Sequence, residues 1–310
     1  MTRTEHKYVT KKKLKDLNII DNFLFNELTM QENPEDSKRF CTILIENLLG
    51  WKLGNVTISS QRTFQGLDTD RHGICLDVLV EAITHKDDED IPNVEIGSDI
   101  YDIEPNTYKD EDAKRARFYT ALIDGRALQS GTKYKDMKNI YLIIITPYDP
   151  FGQDSMIYTV KSRCLEIPDM QYEDGVTSIF LYTRGKKNVL GKKATDMLHF
   201  IEESTTVNAA ANSDCQTIMN MVDRIKVQRE VGVRYMKACE LEHIYREEGR
   251  EAGRTEGLEA GRAEGLEVGR AEGIVSMGRK FHISDEEILS ELQSEVGLTL
   301  QEAQEYLNNN

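Results

Sequence analysis

The chain has 310 residues, a formal net charge of −15 at pH 7 and a hydrophobic content of 39%. This length allows one large core with an accessory region, or two modest domains. The acidity argues against a protein that coats nucleic acid through bulk charge, but it is compatible with a local basic surface. No stretch approaches the roughly 20 apolar residues of a membrane helix, and no secretory signal is visible, so we expect a cytoplasmic protein with no membrane partner.

The five cysteines are odd in number and scattered, and the six histidines are equally dispersed. Neither set has the spacing of a disulfide framework or a zinc site. We therefore expect small buried thiols in a reducing compartment and no structural zinc.

The first 16 residues carry six basic side chains opposed by few acids. These are Arg3, Lys7, Lys11, Lys12, Lys13 and Lys15. A flexible, solvated arm over residues 1–16 is the simplest interpretation, and a local nucleic-acid contact is the alternative.

Hydrophobic periodicity predicts helices first and then a sheet. Asp21–Leu28 is predicted to be a short amphipathic segment. The predicted helices are a segment opened by Ser37 and closed by Gly50, and Asp110–Ser130. The predicted strands are Val56–Ser60, Ile74–Ala82, Asp99–Asn106, Ile140–Thr146, Met156–Arg163 and Thr177–Thr183. The polar stretch between His85 and Asp99 is predicted to be a loop.

Ile140–Thr146 is apolar and β-branched, as expected of a strand buried on both faces. The order strand, helix, apolar strand favours a right-handed parallel crossover. We therefore expect Ile140–Thr146 to lie beside the strand that carries Glu104, with the intervening helix crossing between them.

After about Lys192 the pattern is helical, and glycine recurs every fourth residue from Gly249 to Gly273. Seven glycines, each costing about 1 kcal/mol relative to alanine, would melt a lone helix. A flexible polar linker is one interpretation. We favour a helix over residues 245–275 that forms when copies associate, most simply as a symmetric dimer, because glycine permits close backbone approach.

Two capping-box signatures, Ser284 to Glu287 and Thr299 to Glu302, begin two short helices near the end of the chain. They could form a helix-turn-helix or a plain helical hairpin. The second helix is acidic, which disfavours a DNA-reading role.

The candidate chemistry lies on two predicted strands. Asp77 is an isolated acid in an apolar strand, and burying it is expensive unless it binds something. Strand alternation places Asp102, Glu104 and Asn106 on one face of the other strand. Carboxylates that converge beside a polar group are what metal-assisted phosphodiester cleavage requires.

Four stretches carry a resemblance to a known family. They are Gly73–Ala82, Asp99–Asn106, Ala113–Glu166 and Gly175–Gly185, within a similarity running from about Asn18 to about Glu203. Together with the glycine-rich tail, they resemble the bacterial PD-(D/E)XK nuclease family transposases, also called recombination-promoting nucleases. The resemblance implies a restriction-endonuclease-like α/β core, with a mixed sheet flanked by helices, followed by an all-helical tail.

The resemblance also implies site roles and a division of the chain. Asp77 and Glu104 match the metal-binding acids for Mg²⁺, with Mn²⁺ as an alternative, and Asn106 matches the position of the motif lysine or glutamine. The nuclease-like domain would span 17–203. A helical extension over 204–248, the glycine repeat over 249–275 and a small helical hairpin over 276–310 would follow it.

The chain departs from the motif at two positions. Asn106 carries no positive charge, and Pro105 removes a backbone donor, so we expect a bulged strand. Lys114 or Arg115, at the start of the next helix, could supply the missing cation; a solvated helix face is the alternative for both. Glu46 matches a place where some members of the superfamily keep an extra acid.

These observations predict an Mg²⁺-dependent endonuclease of double-stranded DNA, linked to recombination or mobile elements. Asp77 and Glu104 would hold the metal, and Asn106 would orient the attacking water. Cleavage is expected to be weak and to rise in Asn106→Lys. The alternative is a catalytically silent DNA-binding or regulatory oligomer that keeps the nuclease fold.

Overall fold

The computed structural model describes residues 12–64, 74–86, 94–109, 111–127 and 133–309. Side chains are described for these residues except 60–64, 74–77, 86, 94–97, 126–127 and 309. The strands are β1 (Lys52–Phe64), β2 (Ile74–Lys86), β3 (Val94–Pro105), β4 (Ile140–Thr146), β5 (Ile157–Val160) and β6 (Val176–Tyr182). The helices are α1 (Asn22–Thr29), α2 (Pro34–Leu49), α3 (Asp112–Ala127), α4 (Lys192–Glu202), α5 (Thr206–Ala209), α6 (Ser213–Val227), α7 (Arg229–Lys280), α8 (Asp285–Glu291) and α9 (Leu300–Asn309).

The six strands form one mixed sheet in the order β1-β2-β3-β4-β6-β5. β1, β2 and β3 pair antiparallel, β3, β4 and β6 pair parallel, and β5 pairs antiparallel with β6. The prediction that Ile140–Thr146 is an inner strand next to the Glu104 strand, with a helix between them in the chain, is confirmed. The mixed sheet, the flanking helices and the helical C-terminal region agree with the expected fold class.

Each face of the sheet is covered by its own hydrophobic core. On one face, the larger core joins strand residues such as Val80, Tyr101 and Ile143 to residues of α1, α2, α4 and α6. On the other face lies the α3-side core, formed by Leu79, Ile100, Ala116, Tyr119, Ile123, Ile140, Leu142, Ile144 and Phe180. A strand residue therefore faces α3 or the larger core according to its alternation along the strand.

Several predicted boundaries differ from the observed ones. Asn33, rather than Ser37, caps the start of α2, because its side chain accepts the Glu35 N–H and Pro34 takes the first helical position. Gly50 ends that helix with φ of 73°, as predicted. Part of the predicted loop before Asp99 is wrong, since β3 already begins at Val94 and pairs with β2 there.

Pro105 does not produce the expected bulge. The β3–β4 register is unbroken through the pair of Pro105 with Ile145, and the Asn106 N–H donates to the Ile145 carbonyl at 2.8 Å. Because successive N–H groups of a strand point to opposite sides, the position without a donor at Pro105 faces β2 rather than β4. Pro105 is also the last residue of β3, where a missing donor costs least.

The chain divides into two compact units, with the boundary after Tyr235. In the second unit, α8, α9 and the last turns of α7 share a small core that includes Ala271, Ile288 and Leu307. The predicted capping box at α9 is confirmed, since Thr299 and Glu302 bond reciprocally. At α8, Ser284 caps the helix by accepting the Glu287 N–H, and its hydroxyl donates to the Glu287 carboxylate. The chain turns between the two helices at Gly297, which has φ of 77°.

Residues 245–275 lie within the single helix α7, so their predicted helicity agrees with the structure. Among the four cysteines whose side chains are described, Cys41 and Cys215 are buried, while Cys164 and Cys239 are partly exposed, unlike the buried thiols predicted. Within the described residues, no helix is both long enough and apolar enough to cross a membrane.

Candidate active site

Asp102, Glu104 and Asn106 share the α3 side of β3, as strand alternation predicts. The residues between them, Tyr101 and Ile103, point into the larger core on the opposite face. All three polar side chains are nearly buried, with 0%, 3% and 5% exposure respectively. Two carboxylates and an amide are therefore held on one face, where solvent hardly reaches them.

Asp77 lies in β2, but its side chain is outside the described residues. The β2–β3 register is known up to the antiparallel pair of Val78 with Ile103. The predicted sharing of one cation by Asp77 and Glu104 stays a prediction.

Asn106 is the centre of a hydrogen-bond network at the end of β3. Its Nδ2 donates to Asp112 Oδ1 at 3.1 Å and to the Tyr148 hydroxyl at 2.8 Å. Its Oδ1 accepts the Tyr108 N–H at 3.1 Å. Both amide hydrogens are therefore committed to these neighbours, and an orienting role toward water would have to use the second lone pair of Oδ1.

Tyr148 extends this network from the loop after β4. Its hydroxyl lies 2.9 Å from the Tyr108 carbonyl oxygen and 3.1 Å from Asp112 Oδ1, and its single proton can go to only one of them. Burial, followed by the charge of Asp112, raises the pKa of Tyr148. The phenol is therefore neutral at physiological pH and can act as a donor. Asn106, Asp112 and Tyr148 together tie β3, α3 and the loop after β4 into one rigid corner.

The two candidate cations at the start of α3 occupy different environments. The Lys114 side chain is 71% exposed and pairs with Glu111 at 3.1 Å, as expected for a solvated helix face. Arg115 is half-buried and donates through Nε to the Tyr119 hydroxyl at 2.9 Å. Its guanidinium also lies over the Tyr119 ring, 5.2 Å from the centroid.

Arg115 interacts electrostatically with the buried acid of β3. Burial by itself lowers the pKa of Arg115, but Tyr119, Glu104 and Tyr148 raise it, and the net shift is upward. Burial, followed by the Glu104 charge, raises the pKa of Tyr119, while Arg115 lowers it. The guanidinium therefore remains charged, and the Tyr119 phenol remains protonated.

Glu46 does not join this cluster. It lies near the end of α2, where its carboxylate accepts the Leu53 N–H at 3.1 Å and the Lys52 ammonium at 2.8 Å. α2 packs on the larger core, which is the face of the sheet opposite Glu104. Glu46 therefore fastens α2 to the start of β1.

The carboxylates of β3 fit the ligand chemistry of Mg²⁺, which prefers oxygen donors and usually takes one or two protein carboxylates together with waters. Among the residues whose side chains are described, no group of three Asp, Glu, His or Cys side chains converges on a common point. Asp77 is outside that set, so a Mg²⁺ site that combines Glu104 with Asp77 stays a prediction.

Sequence patterns pointed to β3 but missed Asp112, Tyr119 and Tyr148. The carboxyl ends of the parallel strands β3 and β4 meet at one edge of the sheet, so the segments that follow them are brought together. Asp112 is in the first turn of α3, the helix that follows β3, and Tyr148 is the second residue after β4. Position relative to strand ends could therefore have found both residues.

Comparison with models of protein families, with curated proteins and with solved structures gives no match. The structure thus establishes a six-stranded mixed sheet flanked by helices, followed by a long helical region. The nuclease family remains a resemblance in sequence, and what it implies is carried forward as a proposal.

Proposed function

We propose that this chain is a Mg²⁺-dependent DNA endonuclease whose site lies at the carboxyl end of β3. The observation that carries the proposal is the nearly complete burial of Asp102 and Glu104 on one face of that strand. Burying a carboxylate costs several kcal/mol before compensation, so two on one face are expected where they have a task. Asp77, on the neighbouring strand β2, is the third acid of this proposal.

Asp77 and Glu104 would hold the ion in this proposal. When bound, Mg²⁺ supplies charge neutralisation at the phosphate and an acidified water, which is the chemistry that phosphodiester hydrolysis needs. Asn106 keeps the corner rigid through Asp112 and Tyr148, and its Oδ1 can accept a hydrogen bond from the attacking water. The double-stranded DNA substrate and the link to recombination or mobile elements rest on the sequence resemblance alone.

A catalytically silent DNA-binding or regulatory module is the second candidate. It is favoured by the state of Asn106, because both of its amide hydrogens are used inside the protein and it carries no charge. Such a module would keep the fold and the buried network without binding metal. The two candidates therefore differ in their metal affinity.

We also propose that α7 associates with a second copy of the chain. Along the repeat, the glycines have nothing within 4 Å of the place where a Cβ would stand, and Leu258 and Leu266 are 65% and 60% exposed. Exposed leucines beside open glycine positions suit a closely packed helix partner. A dimer would bring two sites to one duplex.

The deciding experiment is cleavage of a supercoiled plasmid by the purified full chain with Mg²⁺, with Mn²⁺ or with chelator. We expect weak, metal-dependent cleavage that disappears in Asp77→Ala and in Glu104→Gln. Glu111→Gln, which removes an exposed acid from the segment after β3, is the matched control and should cleave normally.

Mn²⁺ binding without DNA separates the two candidate functions. Saturable Mn²⁺ binding in the millimolar range or tighter, lost in Glu104→Gln, supports the enzyme. Cleavage that survives chelation or Asp77→Ala in a clean preparation would refute the assigned roles. DNA binding without Mn²⁺ binding would favour the silent module.

A further inference from the structure

Three basic residues lie on the first two turns of α3, and only one of them turns inward. Lys114 and Arg117 are exposed, whereas Arg115 is half-buried. Tyr119, one turn further along, is 7% exposed and belongs to the α3-side core. Arg115 and Tyr119 thus lie on the side of α3 that covers Asp102 and Glu104.

The contacts of Arg115 hold its guanidinium at Nε and leave the two terminal nitrogens available. Within the part of the chain that the structure describes, its side chain makes its hydrogen bond through Nε, to the Tyr119 hydroxyl at 2.9 Å. The guanidinium also lies over the ring of Tyr119, with its central carbon 5.2 Å from the ring centroid. The two terminal nitrogens, Nη1 and Nη2, can therefore bind an incoming group with the two-pronged geometry that suits a phosphate.

We propose that Arg115 is a catalytic residue that binds a non-bridging oxygen of the scissile phosphate, with Tyr119 as its positioning residue. This inference rests on the proposed nuclease function and deepens it. Before DNA binds, the guanidinium of Arg115 interacts electrostatically with Glu104. Once the phosphate is in place, Nη1 and Nη2 donate to it, and the partly buried setting strengthens these bonds.

The reaction balances without any proton transfer by Arg115. The oxygen of a water molecule bonds to phosphorus while the bond from phosphorus to the leaving sugar oxygen breaks. The water loses a proton to solvent, and the leaving oxygen gains one from solvent. Negative charge accumulates on the non-bridging oxygens in between, and a cation held close to them lowers that barrier.

A purely structural role for Arg115 would have different consequences. If it served only to neutralise Glu104, its removal would damage the site as a whole, and metal binding and cleavage would fall together. If it acts on the phosphate, its removal eliminates a cation that repels the metal. Metal affinity should then rise while cleavage falls.

The test compares Arg115→Met with Lys114→Met, which makes the same charge change on the adjacent, exposed residue. Mn²⁺ affinity is measured on the DNA-free full chain by electron paramagnetic resonance of free Mn²⁺, and cleavage is measured in single turnover. For Arg115→Met we expect cleavage to fall by about 100-fold or more and Mn²⁺ affinity to rise several-fold. Lys114→Met should leave both within about twofold.

Two milder variants keep the test decisive if Arg115→Met does not fold. Arg115→Lys keeps the charge but loses the two-pronged geometry, and Tyr119→Phe releases Nε. Both should bind Mn²⁺ like the wild-type chain and cleave about tenfold more slowly.

The possible failures are distinguishable. A wild-type chain that neither binds Mn²⁺ nor cleaves overturns the nuclease proposal and this inference with it. A wild-type chain that cleaves, with Arg115→Met within threefold of it, overturns the inference alone. A parallel loss of Mn²⁺ binding and cleavage in Arg115→Met, or unchanged cleavage in both milder variants, also overturns it.

Discussion

At the end of β3, polar side chains are enclosed by neighbouring groups. Along the repeat of α7, by contrast, a glycine recurs every fourth residue, and each of these glycines has open space where a side chain would stand. The side chain of Asn106 has three hydrogen-bonded partners within 3.1 Å, and Glu104 interacts electrostatically with Arg115. The glycines of the repeat, from Gly249 to Gly273, have nothing within 4 Å of the point that a Cβ would occupy. Both regions contain residues that are unfavourable for stability where they stand.

The two regions differ in where the compensation comes from. At the sheet edge, the cost of burying polar groups is offset inside the unit by hydrogen bonds and a neighbouring cation. Along α7, the cost of about 1 kcal/mol per glycine is not offset by packing at the glycine positions of the repeat. The contrast predicts that substitutions in the two regions have opposite effects on stability. Replacing the polar residues should lower the stability of the first unit, whereas replacing the glycines should raise the stability of a helix that has no partner.

The geometry of the repeat limits what kind of partner it can have. Residues four apart on an α-helix are rotated by about 40° from each other, because a turn takes 3.6 residues. The glycine stripe therefore winds around α7 instead of running parallel to its axis. A second helix would meet only two or three successive glycines at a crossing, which is the geometry of small-residue helix pairs.

The largest effect is expected at Asn106. Asn106→Ala removes a partner from the buried Asp112, the half-buried Tyr148 and the Tyr108 N–H, and the cavity it leaves does not offer all three a new partner. We expect the free energy of unfolding of the first unit to fall by about 3 kcal/mol. Urea unfolding followed by Trp51 fluorescence measures it, since this only tryptophan packs against Tyr101 and Tyr141 in that unit.

Asn22→Ala, at the exposed first residue of α1, is the control and should change the unfolding free energy by under about 0.5 kcal/mol. Asn106→Lys should be destabilised as well, because lysine cannot replace the amide oxygen that accepts the Tyr108 N–H. A loss of less than about 1 kcal/mol in Asn106→Ala would mean that the network does not hold this corner together.

Strand alternation and apolar runs were sufficient to predict the strands at this edge of the sheet, but not the hydrogen bonds between the segments that follow them. Ile140–Thr146 was predicted with its observed bounds because a fully apolar β-branched run has few alternatives. The early start of β3 was missed because its first residues extend a long β2–β3 hairpin, in which backbone pairing decides the structure. The partners of Asn106 come from segments up to 42 residues away, which only the crossover brings together.

The next effect concerns the glycines of α7. In Gly257→Ala with Gly261→Ala, the helix propensity gains about 1 kcal/mol per position, so a lone helix should become more stable. If the helices of two copies cross at these glycines, the added methyl groups hold the backbones apart and association weakens. We expect the second result, measured as a higher dissociation constant in sedimentation equilibrium.

Thr255→Ala is the matched control for this experiment. It also raises helix propensity, but it lies off the glycine stripe and its side chain bonds only to its own helix, at the Glu251 carbonyl. Association should be unchanged there. Equal or tighter association of the double alanine variant would show that these glycines do not lie in the contact between copies. A wild-type chain that is monomeric at every concentration would refute the dimer proposal.

The smallest effect is expected at the outer rim of the sheet edge, in the loop after β4. The carboxylate of Asp149 accepts four hydrogen bonds that hold the loop closed. They come from the Tyr158 hydroxyl and from the N–H groups of Phe151, Gly152 and Asp154. Burial raises the pKa of Asp149, but these bonds lower it, and the net shift is downward.

A lowered pKa in the folded state gives this loop a stabilising contribution that depends on pH. The contribution is fully present above the unfolded pKa of about 3.9 and is lost as the pH falls through the lower folded value. Asp149→Asn keeps an acceptor oxygen but loses the charge, so at pH 7 it should be less stable by about 1 kcal/mol. The difference from the wild-type chain should shrink toward zero as the pH falls below about 4, because protonation then removes the same charge.

Urea midpoints between pH 7 and pH 3 measure this convergence, and the exposed Asp169→Asn, elsewhere in the chain's loops, should follow the wild-type curve. A constant difference across that range would show that the loop depends on the shape of the side chain and not on its charge.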